Sequence, residues 1–121
     1  MPWRFAGRAE ERIDEVILES ARRWGIEAAG RHNRLIFAAI NAIGEASLLA
    51  GPRPVADLSG VCSYHLRSAR RLVPAGHRVG EPRHLLIYRV AENGVVEVLS
   101  LVHDRQRLSQ AARCAHREAD G

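Results

Sequence analysis

The sequence contains no lysine: all 18 positive side chains are arginine. Arginine is a flat, permanently charged fork suited to carboxylates and phosphates, whereas lysine can surrender its proton, so chemistry that turns on a lysine is excluded. Cysteine is nearly as scarce. Cys62 and Cys114 form no CxxC pair and no disulfide framework, and are expected as reduced thiols packed like small hydrophobes. Long apolar runs are also missing: none reaches 18 residues, and the opening Met1-Pro2-Trp3-Arg4-Phe5 lacks the apolar stretch of a secretion signal. A cytoplasmic protein with no membrane contact is expected. At 121 residues the chain suffices for one hydrophobic core and not for two, so residues 1–121 are read as a single domain.

What is present is unevenly spread. Between Arg67 and Arg89 six arginines face Glu81 alone, whereas between Arg8 and Glu27 four arginines face six acids. A net charge of +4 thus conceals one basic region, suited to nucleic acid or an acidic partner, and one mildly acidic region.

Residues 2–6 alternate as a short strand. Ile13, Val16, Ile17, Ala21 and Trp24 recur at helical spacing, with Glu10 and Glu11 in the first turn, Arg22 and Arg23 in the last, and Gly25 as a left-handed stop. A helix over 8–24 is predicted. A second runs from Ile26 to about Gly44–Ala46, with Leu35, Ile36, Ala39, Ile40 and Ile43 on one face; the link between the two is so short that they must form an antiparallel hairpin. Gly51-Pro52-Arg53-Pro54 reads as a loop. Strands are predicted over 61–68, 84–90 and 95–102, the last two joined at Glu92-Asn93-Gly94, and 74–82 reads as a mobile Gly/Pro loop. A final helix over 104–117, capped by Asp104, precedes a frayed tail. The predicted class is α+β, with the helices on one face of a small antiparallel sheet.

This order of elements resembles the RelE/ParE toxin superfamily, and four local stretches carry the likeness. Arg8 to Val16 leading to Arg23-Trp24-Gly25 is similar to the family's opening helix and Trp-Gly corner. Arg34-Leu35-Ile36-Phe37-Ala38-Ala39-Ile40 resembles its second helix. Pro82 to Val90 resembles its histidine, apolar run and Tyr-Arg-Val strand, and Val98 to Arg105 its closing Val-Leu-His-x-Arg signature. The segment 59–82 departs from a compact member. The resemblance implies the toxin of a type II toxin–antitoxin pair, closest to the ParE branch, which acts on DNA gyrase. It also implies a cognate ParD-like antitoxin in a hetero-oligomer, and neither cofactor nor enzymatic activity. The alternative is a RelE-like, ribosome-dependent mRNA endonuclease.

RNA cleavage needs a base, an acid and cations converging on one phosphate. The nuclease candidates are His103, Arg67, Arg89 and Tyr88. Against them stand the missing lysine and the lack of any tyrosine after Tyr88, where RelE-type enzymes carry one. The candidates for target contact are Arg67, Arg70, Arg71, Arg83, Arg89, His103 and Arg105, with direct nucleic-acid contact left open. Phe37, off the apolar stripe, and Trp24 are the candidates for antitoxin contact, although both are also read as core or edge packing. Six histidines lack any recognised ligand spacing, and no metal site is expected.

Overall fold

The computed structural model describes residues 2–45 and 51–121. Strand β1 (Trp3–Phe5) leads through Gly7 into helix α1 (Ala9–Trp24), and α2 (Ile26–Glu45) follows after Gly25 alone. Gly25 has φ 92°, a conformation that L side chains avoid, and its N–H closes on the carbonyl of Ala21. The predicted one-residue corner is thus present. The predicted end of α2 extends to Ala46, which lies outside the described residues.

Strands β2 (Arg53–Pro54), β3 (Val61–His65), β4 (His84–Val90) and β5 (Val96–His103) join β1 in one sheet of order β1-β5-β4-β3-β2. All pairings are antiparallel except β1 with β5. The hairpin turns at the predicted Asn93-Gly94, where Val95 N–H donates to Asn93 Oδ1 and Gly94 has φ 83°. The rims of this sheet are β1, the expected short strand, and β2, which corrects the reading of residues 51–54 as a loop.

Helices α1 and α2 lie on one face, where Leu35, Ile36 and Ile40 pack against Leu86, Val96 and Val98. The final helix, α3 (Leu108–Asp120), lies on the other, packing Ala112 and Ala115 against Ile87, Leu99 and Val102. The expectation of all helices on one face is therefore wrong. The far face of the sheet is itself apolar, with Val61, Ile87, Leu99 and Val102 to be covered, and a register shift beside Ile87/Tyr88 inserts Leu99 as an extra residue in β5. Val96 and Val98 point to the hairpin, Leu99 and Val102 to α3, and Leu101 back to the hairpin. The bulge lets an almost unbroken apolar run serve two cores.

Three further expectations are corrected. The strand predicted over 61–68 stops at His65 and continues as a 3-10 segment, Leu66–Leu72, because Leu66 and Ala69 must turn inward. The last helix starts at Leu108, not at residue 104, and continues to Asp120 with no side-chain cap, since Asp104 faces His65 and Arg83 instead. The loop 74–82 contains a 3-10 turn, Ala75–His77, and is tied down by Arg70 Nε to Val79 O and Arg78 Nε to Val73 O, each 2.8 Å. Both cysteines are free and half-buried.

Candidate functional site

Four of the six histidines meet where β3 ends, β4 begins and β5 ends. His84 lies opposite His103 and His65 opposite Leu85. The ring of His84 stands edge-on between His32 of α2 and His103, with centroids 5.8 and 5.0 Å apart. Burial, followed by the neighbouring His32 and His103, pushes its pKa down to about 4. Its Nδ1 is buried with no hydrogen-bond partner among the described residues. His32 and His65 are also shifted down by burial, so these three rings are neutral at neutral pH.

The hydrogen bonds fix which nitrogens carry protons. His65 Nδ1 accepts from the backbone N–H of Arg67 at 3.1 Å, which leaves Nε2–H to donate to Asp104 Oδ2 at 3.3 Å. His103 Nδ1 accepts from the N–H of Arg105 at 3.0 Å, so its neutral form carries the proton on Nε2. Asp104 is further held by Arg83 Nε at 3.2 Å. In this arrangement neither His65 nor His103 offers a free lone pair to act as a base. His103 Nε2–H in the neutral ring and the Arg83 and Arg105 guanidinium forks are donors that suit binding to an anionic oxygen. A cleft of about 910 Å³ runs from this cluster between α1 and residues 79–84, bordered by Trp24, Arg31, His32, Arg83 and Arg105.

The structure gathers His103, Arg83, Arg105 and Arg67 at this end of the sheet. Arg67 is near enough to influence the titration of His65. Arg70 and Arg71 lie beyond, on the 3-10 segment. Arg89 is elsewhere: its Nε donates to Glu97 at 2.9 Å and a terminal nitrogen reaches Asp120 of α3 at 2.9 Å. Glu97 and His103 are six residues apart on β5, roughly 20 Å at strand rise. Tyr88 is also separate, 7% exposed in the hairpin core opposite Cys62 of β3, its pKa raised by burial and by Cys62. The four nuclease candidates therefore do not converge.

The two aromatic candidates differ. Phe37 is half-buried in a triad with Trp3 and Phe5, at centroid distances of 6.0 and 6.4 Å. Trp24, read in part as core, is 67% exposed beneath the Arg23 guanidinium and close in sequence to exposed Ile26 and Leu18. It ends the apolar stripe of α1 beyond the reach of the sheet.

Sequence reasoning missed His32, His65, His84 and Asp104 as a group. Counting back from the Asn93-Gly94 turn sets His84 opposite Val102, and only the extra residue at the bulge brings it to His103. It also missed the burial of Glu97, 4% exposed and clamped between Arg4 of β1 and Arg89 of β4. A lone acid in an apolar run between two arginine-bearing strands was the available signal.

Among the described residues no helix is long and apolar enough to cross a membrane, and no group of three or more His, Cys, Asp or Glu is placed to hold a metal. No curated protein matches the chain significantly. A family model described as the ParE toxin of the type II toxin–antitoxin system parDE matches residues 3–108, spanning every strand and the helical hairpin. The chain therefore belongs to the ParE toxin family, as the toxin of a type II toxin–antitoxin pair whose partner is a cognate antitoxin.

Proposed function

We propose that this toxin inhibits DNA gyrase by binding, holding the DNA-bound enzyme in its cleaved state, and makes or breaks no bonds itself. The observation that carries this reading is the dispersal of the nuclease candidates: Arg89 is consumed by Glu97 and Asp120, Tyr88 is buried, and His103 presents a donor where a base is needed. Surface complementarity suffices for such a role, and the strand-end cluster with Arg67, Arg83 and Arg105 supplies a charged surface for it. The antitoxin is proposed to anchor on exposed Trp24 and its apolar neighbours, which are the kind of surface a folding-on-binding partner covers.

The deciding experiment adds antitoxin-free protein both to a gyrase supercoiling assay and to a translating ribosome extract. Gyrase-dependent linear DNA, with no cutting of mRNA, is expected. Cuts in mRNA that disappear in His103→Ala would instead establish the RelE-like endonuclease and overturn the proposal.

A further inference from the structure

Residues 51–80 contain five arginines, Arg53, Arg67, Arg70, Arg71 and Arg78, and one acid, Asp57. That excess of +4 equals the net charge of the whole chain, so the other 13 arginines face 13 acids and cancel. The contrast is structural as well as arithmetic. Every arginine of α1 is ion-paired to a glutamate, whereas none of these five meets a carboxylate among the described residues.

The fold gathers the five along one margin. Arg53, on the rim strand β2, pairs with Ser63 in the middle of β3, the strand that leads into the 3-10 segment. Gly51 abuts Ser68 of that segment, within 2.9 Å of where its own Cβ would stand. With three residues per 3-10 turn, Leu66 and Ala69 take the buried stripe and Arg67, Arg70 and Arg71 fall on the outer ones. The following loop folds back so that Arg78 Nε reaches Val73 O and Arg70 Nε reaches Val79 O. Those bonds fix two guanidinium groups while their terminal nitrogens remain without a partner among the described residues.

We propose that this margin is a sequence-independent docking site for the phosphate backbone of double-stranded DNA. Phosphate binding is driven by counterion release and requires only positive charge, free of acids, held at the surface. A protein partner is steered by exposed charge but anchors on apolar side chains. Leu72 is the only large exposed apolar side chain described in this segment, whereas Leu18, Trp24 and Ile26 lie on the helical hairpin. Single-stranded nucleic acid is bound on aromatic platforms. The only aromatic residue in the segment is Tyr64, which is fully buried.

The test titrates a labelled duplex of about 20 base pairs with the full-length toxin, without gyrase, at increasing salt from about 50 mM. The expected slope of log K against log salt is about −3 to −4, near 0.9 per neutralised phosphate. Changing the three exposed residues together, Arg53→Gln, Arg67→Gln and Arg71→Gln, should weaken binding at least about tenfold and flatten the slope by nearly 3. The same three changed to lysine, which retain the charge, should retain most of the binding, and Arg22→Gln should have no effect. A melting curve for each variant separates misfolding from lost contact. Duplex binding untouched by the triple glutamine change would overturn the assignment, as would tighter binding of single-stranded RNA. An oligo-glutamate peptide that binds as tightly as duplex and is lost with the same arginines would reassign the margin to an acidic protein. Because gyrase is absent, the outcome here is independent of the gyrase reading.

Discussion

Replacing Arg89 with alanine removes the better buried of the two guanidinium groups that hold the Glu97 carboxylate. Glu97 is 4% exposed on β5, between β1 and β4, the Arg89 side chain is 20% exposed, and Arg4, which also pairs with Glu97, is 64% exposed. Taking one partner from a fully buried pair costs about 3 to 5 kcal/mol. Here Arg4 remains and water can enter the space vacated, so about 2 to 3 kcal/mol is expected, or a Tm lower by about 8 to 12 °C for a domain of this size. Arg4→Ala, which removes a solvent-screened partner, should cost no more than about 1 kcal/mol. Urea unfolding of both variants and of Glu97→Gln, at a series of pH values, measures these differences. The Arg89 hydrogen bond, supported by Arg4, holds the Glu97 pKa below the usual carboxylate range. Stability from this clamp is therefore fully present above the pKa of the unfolded chain, near 4.3, and is lost as pH falls through the lower folded value. The gap between wild type and Arg89→Ala should narrow below about pH 4 and nearly vanish in the Glu97→Gln background. Equal costs for the two arginines, or a gap unchanged down to about pH 3, would refute the assignment of the clamp to Arg89.

Three other outcomes follow from the same geometry. Gly7 has φ 58°, and a Cβ there would lie 2.9 Å from the backbone nitrogen of Ala119, so Gly7→Ala should cost about 2 kcal/mol or more and expose the last turn of α3 to rapid amide exchange. His84 is buried neutral with a pKa near 4, well below that of an unfolded histidine; stability should be complete above about pH 6.5 and fall by about 2 kcal/mol towards pH 4, a loss that His84→Gln removes from the unfolding profile. Trp24→Ser should change Tm by less than about 2 °C because the ring is 67% exposed, yet weaken antitoxin binding in calorimetry at least about thirtyfold; unchanged affinity would exclude Trp24 as an anchor.

The helical hairpin and the β4–β5 turn were legible because each is encoded locally: a 3.6-residue apolar stripe stopped by Gly25, and Asn93-Gly94 between two apolar runs. The placement of α3 was not. In a run where nearly every residue is apolar, no periodicity says which residues face α3 or that a bulge stands at Leu99. Arg67, Arg83 and His103 were legible as candidates by residue type, but their grouping with His65, His84 and Asp104 depends on strand register, which is settled only once the sheet is assembled. Arg89 misled for the same reason: its charge was visible in the sequence, while the Glu97 that consumes it lies across the hairpin.

The position of α3 also governs how other molecules reach this toxin. With the helical hairpin on one side of the sheet and α3 on the other, both faces of the sheet are covered among the described residues, and its strand ends and rims make up the perimeter. The features proposed for contact adjoin one another along it: Trp24 and the histidine cluster border one cleft, and Arg67 belongs both to that cluster's surroundings and to the arginine margin beyond β3. An antitoxin seated at Trp24 would lie against the cleft that leads to the target-contact candidates, so antitoxin and target are expected to compete for this perimeter rather than share it.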